Sequence, residues 1–423
     1  MEMKPVINIE ILRRPASVIS SRDLKSHVEQ EIHNIGKIET GTNLTQFSNK
    51  VLTDNVEVIQ ICELDGENNL HEKLADLKNE FYPNDVVCRY HVYRMNREGA
   101  QLECIDVGDS GEEDQPVAHH WILPSSDFHG LWESLVYDCG VKENLLSYME
   151  ATMLFSDCGV DTNIISWNRL VLLYGPPGTG KTSLCKALAH KLAIRTGSRY
   201  THGQLVEINS HSLFSKYFSE SGKLVVKMFD KIKELIEDNN SLVCVLIDEV
   251  ESLTRARESS MSGSEPSDLI RAVNSVLTQI DQMRKYPNVM ILTTSNITEA
   301  IDVAFLDRAD IKQYIGLPSY HAIFIIYMSC IKELIRVNII LSSPEMDSLT
   351  FGRLSLDQGE KEENRNVQRL LAVSRLSEGL SGRMLRKIPF LTHALFVKAR
   401  TVSLDVFISA MESAVIRQKQ DTK

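Results

Sequence analysis

The chain has 423 residues, of which 43% are hydrophobic and 24% are charged, and its formal net charge is -11. This composition is typical of a soluble globular protein with two or three domains. The acidic charge disfavours nucleic-acid binding as the main activity, because that binding depends on cationic side chains that neutralise phosphates. No apolar run approaches the roughly 20 residues of a membrane-spanning helix, and the N-terminus lacks the apolar core of a signal peptide. The eight cysteines are scattered, and their spacing does not match that of metal ligands. We therefore expect a protein of a reducing compartment, the cytoplasm or the nucleus, with no membrane partner.

Residues 1–107 are predicted to form a small α+β domain. Residues 6–11 alternate between apolar and polar, which is typical of a half-buried strand, and Leu24, Val28 and Ile32 recur at helical spacing. Further strands are predicted around residues 56–61 and 86–92. Nothing in this region indicates catalysis.

A change of composition separates this region from the rest of the chain. Residues 108–117 are acidic and bounded by Gly and Pro, which predicts a flexible linker. From 118 to 318, short apolar strands alternate with helical patterns, which predicts a large α/β domain with a parallel sheet and helices on both faces. Residues 319–423 show helical patterns only, so a small helical lid domain is expected. The predicted strands of the α/β domain are 170–173, 205–208, 242–247, 289–293 and 313–315.

The segment GPPGTGKT, which begins at Gly175, matches the phosphate-binding loop pattern GxxxxGK[ST] at every position. It follows an apolar strand and opens a helical pattern, which is the context that this motif requires. Glycines let backbone N–H groups converge on phosphate oxygens, and a helix N-terminus favours anions. We expect Lys181 to reach the β- and γ-phosphates of ATP and Thr182 to bind Mg²⁺. The predicted nucleotide-binding residues are Gly175, Pro176, Pro177, Gly178, Thr179, Gly180, Lys181, Thr182, Ser183 and Asp248.

Two carboxylates follow the apolar strand at 242–247. Asp248 is expected to hold Mg²⁺, directly or through water, and Glu249 to polarise the water that attacks the γ-phosphate. Asn296 ends the next predicted strand, where its amide would orient that water. Taken alone, an asparagine after a strand is usually a turn residue, but the order of the motifs favours the sensor role.

These motifs, in this order, resemble those of the AAA+ ATPases, in the branch that remodels proteins. The segments that carry the resemblance are GPPGTGKT, the IDE that ends at Glu249, the TTSN that ends at Asn296, and residues 301–308. The resemblance extends over about residues 131–417. It implies a P-loop AAA+ core with a C-terminal helical lid, behind the small α+β domain.

The same resemblance assigns roles to three further residues. Arg308 matches the arginine finger that reaches into the ATP site of a neighbouring subunit, and Phe305 stands where relatives often have a second arginine. Arg383, in the sequence SGR, matches the lid arginine that contacts the γ-phosphate. Asn209 matches the polar switch that holds the catalytic glutamate.

Residues 216–220 resemble the first pore loop of these ATPases, with Ser219 in place of the usual glycine. The resemblance implies that Tyr217 faces a central pore and grips a polypeptide, with Lys216 and Phe218 beside it. The alternative is that Tyr217 and Phe218 are core aromatics. The polar residues around them favour an exposed loop.

Four segments, 118–124, 127–132, 211–216 and 378–383, resemble more narrowly the pachytene checkpoint protein 2 family. That resemblance implies a homo-hexamer that uses ATP and Mg²⁺ to convert HORMA-domain proteins from a closed to an open form. It further implies action in the spindle-assembly checkpoint and on meiotic chromosome axes, in the nucleus and cytoplasm, including chromosomes or kinetochores. The N-terminal domain would bind the substrate through a HORMA-like adaptor.

Three alternatives remain open at this point. His119, His120 and His129 suggest zinc, but no cysteine or carboxylate pair completes a ligand set, and a hinge between the N-terminal and ATPase domains is the better interpretation of this stretch. A motor acting on nucleic acid is disfavoured by the aromatic pore segment and the acidic charge. A scaffold that binds ATP and barely hydrolyses it is disfavoured by the intact set Glu249, Asn296, Arg308 and Arg383.

Overall fold

The computed structural model describes residues 4–64, 80–105, 115–138, 140–209, 221–251, 267–296, 303–341 and 365–421. The N-terminal elements are β1 (Val6–Arg13), α1 (Ser21–Ile35), β2 (Ile38–Glu39), β3 (Asn43–Leu44), α2 (Lys50–Asn55), β4 (Val56–Leu64), β5 (Glu80–Phe81) and β6 (Val87–Tyr93). Four of these strands form a sheet in the order β3-β4-β1-β6, with β1 antiparallel to β4 and parallel to β6. The α+β class predicted for this region is confirmed.

The central strand β1 is buried on both faces, not on one. The apolar face, with Ile7, Ile9 and Ile11, packs against α1, as the alternation predicts. The opposite face carries Asn8 and Glu10, which are also buried. A polar residue is buried at such a position only when it has hydrogen-bonding partners, and for Glu10 these come from another domain.

The ATPase domain is built on a seven-stranded sheet. The elements of this domain are β7 (Gln101–Ile105), β8 (Gln115–Leu123), α3 (Leu131–Ser134), α4 (Val141–Asp157), β9 (Leu170–Tyr174), α5 (Lys181–Arg195), β10 (His202–Asn209), α6 (Ser221–Ile236), β11 (Ser241–Asp248), α7 (Ser267–Met283), β12 (Val289–Ser295), α8 (Val303–Leu306) and β13 (Ile311–Tyr314). The strands lie in the order β13-β9-β12-β11-β10-β8-β7. Five strands, from β13 to β10, are parallel, and β8 and β7 are antiparallel to their neighbours. The predicted parallel sheet is therefore extended at one edge by an antiparallel hairpin.

The hairpin corrects the predicted domain boundary. Residues 101–105 were assigned to the N-terminal domain and 108–117 to a linker, but β7 pairs with β8 in the ATPase sheet. Most of the predicted linker, residues 108–114, lies outside the described residues. The hinge predicted for residues 121–132 overlaps the end of this hairpin, because β8 extends to Leu123, pairs with β10 and buries Trp121. The acidic composition marks the connection between two strands of one sheet, which composition alone does not distinguish from a connection between domains.

Helices cover both faces of the sheet, as predicted. On one face, α4 and α5 pack against the strands in a core that includes Leu145, Met149, Leu184 and Leu188. On the other face, α6 and α7 form a second core. Because both faces are covered, the parallel strands are apolar along almost their whole length, and β9, β11 and β12 are buried from end to end except at the last residue of β9 and β11.

The C-terminal part is a helical lid with its own core, centred on Tyr327, Leu385 and Phe407. Its helices are α9 (Tyr320–Arg336), α10 (Arg365–Leu376), α11 (Gly382–Thr392) and α12 (Leu404–Asp421). Pro389 lies inside α11, and a π-helical turn follows at His393–Val397. None of the helices described here combines the length and the apolar character of a membrane-spanning segment.

Buried ion pairs join the N-terminal domain to α5. Lys191 Nζ donates to Glu10 Oε2 at 2.7 Å, and Arg195 Nε donates to Glu10 Oε1 at 3.1 Å. Burial alone raises the pKa of the Glu10 carboxyl, but the charges of Lys191 and Arg195 bring that pKa below its usual value. At the rim, Glu133 Oε1 lies 3.5 Å from Lys191 Nζ and accepts a hydrogen bond from Gln60 Nε2 at 2.8 Å. The helix that begins at the phosphate loop therefore ends at the N-terminal domain.

Candidate active site

The phosphate loop connects β9 to α5 and is tightly enclosed. Gly175 has a φ of 143°, and a Cβ built on it would lie 2.2 Å from the carbonyl oxygen of Ile315. A Cβ on Gly178, whose φ is 77°, would lie 2.9 Å from Ser381 Oγ in the lid. Neither position has room for a side chain, so these glycines bring the loop into contact with the sheet edge on one side and the lid on the other.

Lys181, the first residue of α5, is buried and turned onto the loop. Its Nζ donates to the carbonyl oxygens of Gly175 at 2.9 Å and Pro176 at 2.8 Å, and Thr179 Oγ1 donates to the same Pro176 oxygen at 3.0 Å. Burial lowers the pKa of the Lys181 ammonium, while the carboxylates of Glu251 and Asp248 act in the opposite direction. The predicted residues Pro177 and Gly180 lie in the loop, and Ser183 lies on the first turn of α5.

Thr182 and Asp248 bring the two halves of the predicted site together. Thr182 Oγ1 donates to Asp248 Oδ1 at 2.9 Å, and Thr294 on β12 donates to the same oxygen. A hydroxyl and a carboxylate are the hard oxygen ligands that Mg²⁺ prefers. The donor set and the glycine-lined loop therefore fit a nucleotide with its magnesium ion.

Glu249 follows β11 in a backbone conformation that is rare for a residue with a side chain, with a φ of 58°. The turn is held by β12: the Glu249 N–H donates to Thr294 Oγ1 at 3.2 Å, and the Val250 N–H donates to the Thr294 carbonyl at 2.9 Å. Asn296 Nδ2 lies 3.5 Å from Glu249 Oε1. The predicted water-polarising carboxylate and the predicted sensor amide are therefore neighbours at the carboxyl ends of adjacent strands.

One residue of this site was missed by the sequence reasoning. Glu251 is buried, and its Oε1 accepts hydrogen bonds from the backbone N–H of Asn296 at 3.2 Å and from Asn296 Nδ2 at 3.0 Å. The signal available in the sequence was a third acidic residue, two positions after Glu249. Its pairing with Asn296 depends on the contact between strand ends, so the sequence alone does not reveal it.

The arrangement of these side chains is that of a nucleotide hydrolase. Relatives that align with almost the whole chain show the family to which it belongs. Over 422 residues the chain is 52% identical to the pachytene checkpoint protein 2 homolog of Xenopus tropicalis, an alignment that covers 99% of this chain and 94% of that protein. Over 427 residues it is 50% identical to the homolog of Homo sapiens, with the same coverage of 99% and 94%. The chain belongs to the pachytene checkpoint protein 2 family.

Family models agree with this assignment along the chain. Residues 2–98 match the TRIP13 N-terminal domain. Residues 171–317 match the ATPase family associated with various cellular activities (AAA), and residues 319–419 match the TRIP13-like, AAA+ ATPase lid C-terminal domain. This member of the pachytene checkpoint protein 2 family is therefore an AAA+ ATPase. The predicted family, fold class and enzyme class are confirmed.

Two solved structures are similar to this family member. C. elegans PCH-2 has a TM-score of 0.76 at 35% sequence identity, covering 98% of this chain and 99% of that chain. A chain of the E. coli MS115-1 HORMA:CdnC:Trip13 complex has a TM-score of 0.52 at 17% identity, covering 70% of this chain and 94% of that chain. The second likeness shows the fold alone.

The lid arginine predicted for this AAA+ ATPase lies at the phosphate loop. The backbone N–H of Arg383, at the start of α11, donates to the Gly178 carbonyl at 3.0 Å, and the side chain is exposed. Nearby, Ser319 bonds Asp138 through its N–H at 3.0 Å, and Arg386 donates to the Ser134 carbonyl. The lid therefore lies against the loop, with Arg383 at the point of contact.

The other residues implied by the AAA+ resemblance lie at different places. Arg308 follows α8, and its guanidinium bonds the carboxylate of Asp281 on α7. Asn209 pairs in strand register with Asp248, so the two residues end neighbouring strands side by side. The predicted pore residues Lys216, Tyr217 and Phe218 lie outside the described residues, and their role stays a prediction.

Proposed function

We propose that this AAA+ ATPase assembles as a homo-hexamer and uses ATP hydrolysis to open closed HORMA-domain proteins. We further propose that a HORMA-like adaptor delivers the substrate to the N-terminal domain. The cellular setting would be the spindle-assembly checkpoint and meiotic chromosome-axis control, in the nucleus and cytoplasm. The proposal excludes direct action on nucleic acid.

One observation carries this proposal. Identity of about 50% with pachytene checkpoint protein 2 homologs extends over 99% of this chain, and it includes the N-terminal domain that the family model covers at residues 2–98. A shared ATPase core alone would leave the substrate class open, since AAA+ cores serve many substrates. The E. coli MS115-1 complex holds a HORMA protein beside its Trip13, but at this low identity it contributes only the fold.

In the proposed reaction, the phosphate loop and Lys181 hold the β- and γ-phosphates. Thr182 and Asp248 hold the magnesium ion, which when bound offsets the negative charge of the phosphates. Glu249 accepts a proton from the attacking water, and Asn296 fixes the position of that water. Because phosphoryl transfer depends mainly on positioning and charge stabilisation, these contacts account for most of the catalysis.

Two arginines complete the proposed reaction. Arg383 contacts the γ-phosphate from the lid of the same subunit. Arg308 contacts it from the neighbouring subunit, which makes hydrolysis depend on assembly. Tyr217, between Lys216 and Phe218, grips the client polypeptide in the central pore, so that each nucleotide step moves the client.

The test measures ATP hydrolysis and client conversion on the same preparation. A closed HORMA protein with its adaptor should stimulate hydrolysis and be converted to the open form, and duplex or single-stranded DNA should do neither. Stimulation by DNA instead would identify a nucleic-acid motor, and binding of ATP with negligible turnover would identify a scaffold.

The variant Tyr217→Ala distinguishes movement of the client polypeptide from ATP hydrolysis. This variant should melt at the native temperature and hydrolyse ATP, but fail to convert the client, because alanine offers little contact area to a polypeptide. If Tyr217 were a core aromatic, its removal would cost ~3 kcal/mol or more of folding stability. Melting temperature, hydrolysis and conversion would then fall together.

A further inference from the structure

Glu251 has no part in the reaction as described so far, although it lies in the middle of the site. The residue is 7% exposed. Its Oε1 accepts two hydrogen bonds, and both come from Asn296. Its Oε2 is buried and has no hydrogen-bond partner within the described ranges. Burying a carboxylate with one oxygen unpaired costs free energy. The pairing of the other oxygen, Oε1, with Asn296 therefore points to a role for Glu251.

The two hydrogen bonds restrict both the backbone and the side chain of Asn296. The bond to the backbone N–H fixes the end of β12, and the bond to Nδ2 fixes the rotation of the amide. A carboxylate only accepts hydrogen bonds, so the nitrogen of the amide, and not its oxygen, must face Glu251. The same nitrogen lies 3.0 Å from Glu251 Oε1 and 3.5 Å from Glu249 Oε1, which places it between the two carboxylates.

We propose that Glu251 is the positioning residue for Asn296 in ATP hydrolysis. By holding the amide nitrogen on one side, Glu251 presents it to Glu249 and to the water that Glu249 activates. Glu251 itself touches neither water nor phosphate in this proposal. The inference rests on the sensor role proposed for Asn296, and it is independent of the client, because hydrolysis without client reports it.

Two conservative substitutions distinguish a hydrogen-bonding role from a charge role. Glu251→Gln removes the negative charge but keeps an oxygen at the same distance, able to accept both hydrogen bonds from Asn296. Glu251→Asp keeps the charge but withdraws the carboxylate by one methylene, beyond reach of both donors. If Glu251 acts by positioning Asn296, the glutamine variant should hydrolyse ATP at nearly the native rate and the aspartate variant should be slower. If the site instead needs a negative charge near Lys181, we expect the reverse.

The experiment measures basal kcat, nucleotide affinity and melting temperature for Glu251→Gln, Glu251→Asp, Asn296→Ala and the double variant Glu251→Asp with Asn296→Ala. We expect Glu251→Asp to lower kcat by about tenfold or more, since small misplacements at a reacting centre are costly. Glu251→Gln should stay within about threefold of the native kcat, and nucleotide affinity should change by less than about threefold in both. In the double variant, Glu251→Asp should add no further loss to that of Asn296→Ala.

Three results would overturn the proposal: native turnover in Glu251→Asp, equal losses in the aspartate and glutamine variants, or a loss from Glu251→Asp that persists in full without Asn296. Near-native turnover in Asn296→Ala alone would instead remove the sensor role of Asn296, and the proposal with it. A failure of client conversion with these hydrolysis results intact would count against the HORMA function only.

Discussion

Arg308 donates through Nε and Nη2 to the two carboxylate oxygens of Asp281 in its own chain, at 2.9 and 2.8 Å. Its Nη1 donates to the Ala304 carbonyl at 2.6 Å. Bonds of this bidentate kind fix the plane of a guanidinium as well as its position. Burial alone raises the pKa of the Asp281 carboxyl, but Arg308, followed by Arg284, lowers it below its usual value. The proposed arginine finger is thus held in a defined orientation before any neighbour is present.

Asp281→Ala should lower kcat without weakening nucleotide binding, because the finger loses its orientation while the phosphate loop is untouched. We expect about a tenfold loss, smaller than the ~10³–10⁵ that removal of a finger costs. Arg284→Gln is the matched control, since Arg284 bonds the same carboxylate at 3.2 Å without a proposed catalytic role. Equal losses in the two variants would indicate a general effect on α7 and not an effect on the finger.

Mixing two inactive variants tests whether Arg308 acts across a subunit boundary. Glu249→Gln should bind ATP and hydrolyse it ~10²–10⁴ times more slowly, and Arg308→Ala should be inactive as well. In a mixed ring, some interfaces combine an intact Glu249 from one subunit with an intact Arg308 from the next. Hydrolysis should therefore recover partly on mixing. Mixed rings that form, as native mass spectrometry would show, and remain inactive would contradict the proposal.

The buried ion pairs between the N-terminal domain and α5 should contribute strongly to stability. Glu10→Gln removes the buried negative charge that Lys191 and Arg195 share, and breaking a buried ion pair costs about 3–5 kcal/mol. Glu133→Gln is the control, because the Glu133 side chain is 41% exposed and 3.5 Å from Lys191, and such pairs contribute about 0–1 kcal/mol. Thermal unfolding followed by a probe in the N-terminal domain should show a large decrease in melting temperature for Glu10→Gln only. Similar decreases in the two variants would mean that the ion pairs of Glu10 do not stabilise the contact between the N-terminal domain and α5.

The buried His190 should make the stability of the folded protein depend on pH. It is buried on α5, and its Nδ1 accepts a hydrogen bond from the Ser125 N–H at 3.3 Å. Burial, and then the charge of Lys191, lower the pKa of His190 to about 4. An unfolded histidine has a pKa of about 6.5, so between pH 6.5 and 4 the unfolded chain takes up a proton that the folded chain does not. Stability should fall across this window as the pH is lowered, by up to ~1.4 kcal/mol per pH unit from this group.

The comparison of His190→Asn with His119→Asn isolates this effect. Asparagine can keep an acceptor near the Ser125 N–H but does not titrate, so the melting temperature of His190→Asn should depend less on pH between 6.5 and 4. His119→Asn, at an exposed position on β8, is the control for replacing a histidine elsewhere in the chain. An unchanged pH dependence in His190→Asn would show that folding does not lower the pKa of this histidine.

The parts of the site that could be predicted from the sequence are those encoded in contiguous segments. The strand, glycine loop and Lys181-Thr182 helix start form one such segment, and the strand before Asp248 forms another. The parallel sheet then brings their ends together, so the contact between Thr182 and Asp248 follows from topology. Local pattern therefore accounted for most of the nucleotide site.

The features that were not predicted depend on pairs distant in the sequence. Glu10 and Lys191 are 181 residues apart, and nothing in the alternation of β1 distinguishes a buried carboxylate from a solvated one. The bond between Glu251 and Asn296 depends on how two strand ends turn toward each other. The antiparallel hairpin of β7 and β8 was divided between domains because its connection has the composition of a linker.

Helix α5 is rigid and about 22 Å long, with Lys181 in its first turn and Lys191 and Arg195 near its end. One end meets the phosphate loop, and the other is anchored to the N-terminal domain through Glu10. Thermodynamic reciprocity then applies to the two ends. By whatever factor a bound nucleotide changes the affinity of the N-terminal domain for its ligand, that ligand must change the affinity for nucleotide by the same factor.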